Sequence, residues 1–321
     1  MGPCPTRGLK LRLPDRAGAL ARCGGTGFVT FWQQTGLHCA MVLYERVASG
    51  LLRGSDNSPF TVPIRNIFMR KTLFALAITT LAGAAFAADL RVGLNPAYEP
   101  FESKTATGEI VGFDVDIANA LCAQIQRKCV FVESEWDSII PGLQAKKYDV
   151  IISSMSITPE RARVVDFTNR YYKTPSAIVV KKGTKYDGPA SLKGMKIGVL
   201  KGSTQEKWAL GELKPAGVNV VPYQSQNQVY RDIKAGRLDG TVADKVEVHG
   251  GFLRKPEGQD FGYVGADQYD PKYYGEGIGI ALRKGQGDLK KQLNDAIATI
   301  RANGTYANIA KKYFDFDPYG Q

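Results

Sequence analysis

The chain has 321 residues, with 42 Lys and Arg against 31 Asp and Glu, a formal net charge of +11. It is 44% hydrophobic and 23% charged, a globular composition that excludes wholesale disorder, and its one long apolar run, Thr72–Ala88, excludes a multispan membrane protein. Residues 1–68 hold 8 basic and 3 acidic residues, residues 69–87 hold 2 basic ones, and residues 88–321 hold 32 and 28, a net of +4 (32 − 28), so the excess lies upstream and argues against a nucleic-acid footprint on the main body.

Residues 1–68 show no sustained periodicity and are rich in Gly, Arg and Pro, as in Arg22-Cys-Gly-Gly-Thr-Gly. They are expected to be disordered and to reflect an early start assignment, with Met69 as the true start; a real extended leader is the rival reading. Met69-Arg70-Lys71, the apolar stretch from Thr72 and Ala85-Phe86-Ala87 have the order of a signal peptide: basic n-region, h-region, A-x-A cleavage site. Ala88 rather than Cys follows the cut, so no lipid anchor is expected, and residues 69–87 direct the product to the periplasm.

Cysteine usage fits export. Cys4, Cys23 and Cys39 lie in the leader, and the remainder keeps Cys122 and Cys129. An even count in an oxidising compartment points to one disulfide. Metal binding is a poor alternative, because these two thiols have no third Cys or His nearby and the mature part's one His is His249.

Beyond Ala88 the chain alternates strand and helix. Leu90–Leu94 reads as a strand, Asp114–Ile125 as a helix with Phe113, Ile117, Leu121 and Ile125 at i, i+4 spacing, and Cys129–Glu133 as a strand. A helix over 139–147 and a short buried strand over 149–153 complete a βαβαβ unit. The pattern repeats with strands at 196–200, 218–221 and 239–243 and helices at 204–213, 226–235 and 244–253. A long helix over 288–302, closed by Asn303-Gly304, and a short one ending near Phe314 finish the chain. The fold class is α/β, with two lobes. Strand-like runs at 176–180 and 277–282 flank the second half and suggest two crossings, so that lobe 1 comprises 88–175 and a return segment 276–321, and lobe 2 comprises 176–275.

Phe113-Asp-Val-Asp-Ile, Ser153-Ser-Met-Ser-Ile-Thr-Pro-Glu-Arg161, Gly202-Ser-Thr-Gln-Glu206, Gly236-Arg-Leu-Asp-Gly240 and Gly304-Thr-Tyr with Lys311-Lys-Tyr-Phe314 resemble the polar amino-acid solute-binding proteins of ABC importers, in particular the lysine/arginine/ornithine- and histidine-binding proteins. The likeness spans nearly all of 88–321 and none of 1–68. It implies a two-lobed periplasmic-binding-protein fold whose α/β lobes are joined by two hinge strands. It further implies one free amino acid in the cleft, an inner-membrane ABC permease complex as partner, a monomer, and neither cofactor, metal nor catalysis. A cyclohexadienyl dehydratase-like enzyme on the same fold and a ligand-sensing partner of a membrane receptor are the alternatives.

The residues support that use independently. A closed cleft must satisfy both the carboxylate and the ammonium of an amino acid, since unpaired buried charge is costly. Arg161 suits the carboxylate through its planar fork, with Thr158 as cap and Pro159 in the first turn of the segment that carries it. Ser203-Thr-Gln-Glu206 is a capping-box pattern that would aim Thr204 and free amides at the same carboxylate. Asp244, after its strand, is the natural ammonium partner, and Ser153, Ser154 and Ser156 follow a strand where hydroxyl and carbonyl contacts fall in open α/β sheets. The resemblance adds Tyr98 and Trp136 as an aromatic clamp on the ligand side chain, and Asn95 at a position where basic-ligand members carry an acid. Glu102 and Glu135 are the nearby acids that could compensate. Gly275-Glu-Gly-Ile-Gly279 lacks the spacing of a dinucleotide fingerprint, and Asn303-Gly-Thr305 reads as a helix C-cap before it reads as a glycosylation acceptor.

Overall fold

The computed structural model describes residues 88–320; the leader, the signal-peptide segment and Cys4, Cys23 and Cys39 lie outside the described residues. The first half runs β1 (Leu90–Leu94), β2 (Ala97–Tyr98), β3 (Glu102–Lys104), β4 (Ile110–Val111), α1 (Phe113–Gln124), β5 (Cys129–Glu133), α2 (Ile139–Gln144), β6 (Val150–Ile151) and β7 (Val165–Tyr172). The second runs β8 (Ser176–Lys181), β9 (Lys196–Leu200), α3 (Thr204–Trp208), β10 (Asn219–Tyr223), α4 (Gln226–Lys234), β11 (Gly240–Asp244), α5 (Lys245–Val248) and β12 (Phe261–Gln268). Then come α6 (Pro271–Tyr274), β13 (Ile278–Arg283), α7 (Gly287–Ala302) and α8 (Thr305–Ala310).

Two five-stranded sheets result, ordered β5-β1-β6-β13-β7 and β10-β9-β11-β8-β12, with β2-β3-β4 as a small meander. They share one plan. An inner strand (β1 or β9) has parallel neighbours on both sides; β13 or β8 then runs antiparallel, and the edge strand β7 or β12 pairs antiparallel with that one. The strands and helices expected at β1-α1-β5-α2-β6 and β9-α3-β10-α4-β11 are the ones observed, within a few residues. The helices expected over 204–213 and 244–253 each change from α to π hydrogen bonding, at Ala209 and His249.

The runs expected as the crossings are strands within the sheets. β8 pairs with β11 and β12, and β13 with β6 and β7. What passes between the sheets is the segment 173–175 and the segment 269–277. Gly275, in the second, has φ +71° and carries the carbonyl oxygen of Ile157 1.9 Å from where a Cβ would stand. Its glycine therefore answers a close backbone approach, not a nucleotide.

In the first lobe, Phe113, Ile117 and Leu121 of α1 pack with Leu293, Ile297 and Ile300 of α7 and with Tyr306 and Phe314 near the C-terminus. Full burial of such side chains contributes about 1.5–3 kcal/mol each, enough to fix the return segment on this lobe. Tyr306 donates to the Tyr171 carbonyl (2.7 Å), and Lys312 pairs with Asp116 (2.9 Å). Asn303 closes α7 and Gly304 follows with φ +81°, the left-handed cap expected of Asn-Gly. In the second lobe Ile178, Val180, Ile197, Val199, Trp208 and Val242 form the core.

Cys122 and Cys129 are bonded, joining α1 to the start of β5 with Cα atoms 5.8 Å apart. The closed loop is short, so loop entropy contributes about 2–3 kcal/mol. Replacing both cysteines by alanine should lower unfolding free energy by about that amount and leave ligand affinity unchanged, because neither lines the cleft described below. Denaturant titration with and without ligand measures both; a large affinity loss without a stability change would contradict the assignment.

Candidate functional site

Each lobe brings the C-terminal ends of its parallel strands to the same cleft. After β1, the Asn95 amide donates to Ser153 Oγ (3.0 Å) and Asn95 Nδ2 donates to the Ser134 carbonyl (2.9 Å). After β6, Ser153 Oγ donates to Glu102 Oε1 (2.6 Å), while the amide and hydroxyl of Ser154 donate to Asp114 Oδ2 (2.7 and 3.1 Å). Ser154 sits at φ +50°, a conformation uncommon outside glycine and asparagine, and these two carboxyls from β3 and α1 hold it there. Asp114 Oδ1 also accepts from the Tyr171 hydroxyl (2.9 Å).

The second lobe supplies the opposite wall. Ser203 caps α3 by accepting from the Glu206 amide (3.0 Å), and Glu206 reaches back to the Gly202 amide (2.6 Å). This is the expected capping box, with its return bond one residue before the cap. Thr204 Oγ1 donates to Gln205 Oε1 (3.2 Å), and Gln205 Nε2 donates to Ser176 Oγ (2.9 Å). Asp244 ends β11 and caps α5, its Oδ1 accepting from the amides of Val246 (2.9 Å) and Glu247 (3.1 Å). Its Oδ2 accepts from Thr174 Oγ1, so the same carboxylate ties down the first crossing.

Between these walls lies a cavity lined by Asn95, Tyr98, Trp136, Ser153, Ser154, Ser156, Thr204 and Asp244. Of the residues expected there, Arg161 is the one that does not line it. Its guanidinium stacks over Trp136, 5.4 Å from the ring centroid, and donates to the carbonyls of Ser156 (3.1 Å) and, across the cleft, Gly202 (3.2 Å). Thr158 Oγ1 accepts from the Arg161 amide (3.3 Å), the expected cap, but only a single 3-10 turn, Arg161–Arg163, follows. Glu102, Thr174, Tyr269 and Tyr274 line the cavity as well. The last three belong to the crossing segments, which meet the cleft only after folding, and no pattern in their own sequence marks them. Glu135, the other acid considered beside Asn95, is absent from the lining.

The cavity wall carries two buried acids, Glu102 and Asp244, and one lysine, Lys173. Burial pushes Asp114 and Asp244 each up to about 6 and raises Glu102 and Glu247 well above the usual carboxylate range, Glu102 further so beside the charge of Asp114. Burial lowers Arg161 to about 10. Asp114, Glu247 and the Arg161 guanidinium are buried outside the cavity lining. At the rim three ion pairs join the lobes, Glu99–Lys255 (2.9 Å), Asp137–Lys201 (3.4 Å) and Glu160–Lys207, each with its acid on the first lobe and its lysine on the second.

A model of the bacterial extracellular solute-binding proteins, family 3, matches residues 90–316. The L-arginine-binding protein of Pseudomonas aeruginosa is 51% identical over 251 residues, covering 77% of this chain and 97% of that protein. The histidine-binding periplasmic protein of Salmonella typhimurium is 45% identical over 249 residues, covering 77% and 96%. Among solved structures, a Salmonella typhimurium periplasmic binding protein described for its high arginine specificity matches with a TM-score of 0.67 and 34% identity, over 71% of this chain and all of that one.

Proposed function

Because this chain belongs to the bacterial extracellular solute-binding proteins, family 3, we propose that it is the periplasmic substrate-binding component of an ABC importer and takes a cationic amino acid. The observation that carries the choice of ligand is the imbalance of four buried carboxyls, Glu102 and Asp244 in the cavity lining and Asp114 and Glu247 outside it, against Lys173 in the lining and Arg161 outside it. A ligand with two cationic groups and one carboxylate offsets that imbalance, and a neutral or acidic one does not.

In this reading Asp244, with Tyr98 beside it, meets the α-ammonium, and the amides at the start of α3, Thr204 and Arg161 meet the carboxylate. Arg161 reaches it by exchanging its carbonyl partners for a bidentate pair. Trp136 and Tyr98 flank the side chain, with Asn95, Ser153, Ser154 and Ser156 around its polar end. The permease then receives the closed form, in which both lobes touch the ligand and the three rim ion pairs are made. The names of the relatives support binding rather than catalysis. A dehydratase-like reading would use Glu102 as its general acid, and turnover of a cyclohexadienyl acid by purified protein is the result that would favour it.

Native mass spectrometry of freshly purified protein should reveal a bound mass matching arginine, lysine, ornithine or histidine. Returning that amino acid to stripped protein should lower the radius of gyration in small-angle scattering. A tightly bound amino acid without compaction would count against closure, and absence of any amino-acid binding would count against the function.

A further inference from the structure

Glu102 is 1% exposed and lines the cavity beside the uncharged Asn95. Its strand's lysine, Lys104, is exposed and paired with Glu133 (2.7 Å). Glu102 accepts from two hydroxyls, Ser153 Oγ at 2.6 Å and Ser154 Oγ at 3.4 Å. Asp114 accepts from the same Ser154 hydroxyl, from the Ser154 amide and from Tyr171, and lies within hydrogen-bond reach of Glu102 itself. None of the described ion pairs includes either carboxyl.

Two carboxyls sharing one buried serine cannot both ionise without a cation. Asp114, with three donors including an amide, holds the negative charge. Glu102, with the weaker set and the cavity in front of it, holds the proton. The other titratable groups around the pair are the hydroxyls of Tyr98, Tyr171 and Tyr172, all held protonated by burial, and elsewhere on the cavity lining Asp244, whose charge adds to the demand for a cation, and Lys173, whose ammonium lies over the Tyr269 ring.

Resting on the reading of the cleft as an amino-acid site, we propose that Glu102 is the counter-ion for a cationic ligand side chain, and that such a ligand displaces the proton held between Glu102 and Asp114 into solvent. No bond other than O–H breaks: the ligand's positive charge enters as the proton leaves, and the net charge of the buried pair with its cation is conserved. Selectivity for cationic side chains then resides in the first lobe, on β3, apart from the groups that grip the backbone of every amino acid. The reading also accounts for an uncharged Asn95 in a cavity that takes cations, because the acid is supplied seven residues further on.

Calorimetry of L-arginine and L-glutamine in two buffers of different ionisation enthalpy, with wild type and Glu102→Gln, tests this. Wild type should release about one proton per arginine at pH 7 and about none per glutamine, and the arginine release should shrink at higher pH as the free protein gives up the proton unaided. In Glu102→Gln the release should vanish and the preference for arginine over glutamine should fall at least about tenfold. Unchanged release in the variant, or equal weakening of both amino acids, would overturn the assignment. Should the variant not fold, wild type alone decides: equal proton release with both amino acids overturns it. If wild type bound neither amino acid, the reading of the cleft itself would fall first.

Discussion

Asp244→Ala should weaken every amino-acid ligand together, by about 2–5 kcal/mol, because the ligand ammonium is left buried and unpaired. The carboxylate has three other tasks, accepting from the amides of Val246 and Glu247 and from Thr174, so the alanine variant should also lose about 1 kcal/mol of fold stability through the missing helix cap. Asp244→Asn separates the two effects, since its amide oxygen can still accept at the cap but carries no charge. The sign with pH follows from burial, which raises Asp244 to about 6 in the ligand-free protein. A carboxyl raised in the folded state supports stability below its ordinary value and withdraws that support as pH rises through the raised one. Between about pH 4 and 6 the ligand-free wild type should therefore lose roughly 1–3 kcal/mol at this residue, and Asp244→Asn should not. Thermal unfolding at pH 4 and pH 7 without ligand, alongside calorimetry with ligand, gives both readouts. An asparagine variant that binds arginine as wild type does would remove Asp244 from the site.

Arg161→Met should be the other large loss, about 2–5 kcal/mol of affinity for any amino acid, with little change in the stability of the ligand-free protein. The guanidinium is buried, has no carboxylate partner among the described ion pairs, and is held by two carbonyls and the Trp136 face. Removing such a charge in favour of an apolar side chain of similar volume is often neutral or stabilising. Its worth therefore appears only when a ligand carboxylate arrives. Arg161→Lys should recover little, because an ammonium cannot hold Ser156 and Gly202 together or bind a carboxylate bidentately. Equilibrium unfolding without ligand and calorimetry with it measure the split. A methionine variant that loses stability and affinity in equal measure would mark Arg161 as a structural tie between lobes.

The βαβαβ repeat was legible before any coordinates because parallel strands buried on both faces read as short apolar runs, as in Leu90–Leu94 and Lys196–Leu200. The meander β2-β3-β4, β7 and β12 were not. β7 carries Asp166, Thr168, Asn169 and Arg170, and β12 is a largely uncovered edge strand with two glycines. Strands of that kind are specified by their partners rather than by their own periodicity.

Residue type and position at a strand end pointed, from the sequence alone, to groups that line the cavity: Asn95, Ser153, Ser154, Thr204 and Asp244 all lie at or just beyond the carboxyl end of a parallel strand, where open α/β sheets bring their ligand contacts together. The cysteine count likewise determined the bond between Cys122 and Cys129. What only the tertiary structure decided depends on distance across the chain. Glu102 meets Ser153, 51 residues away, and Asp114 meets Tyr171, 57 residues away. Asp244 meets Thr174, 70 residues away, and Arg161 spans both lobes. The protonation of a buried carboxyl follows from how many donors and how many other charges surround it, and that census exists only once the two lobes and both crossing segments have been brought around one cavity.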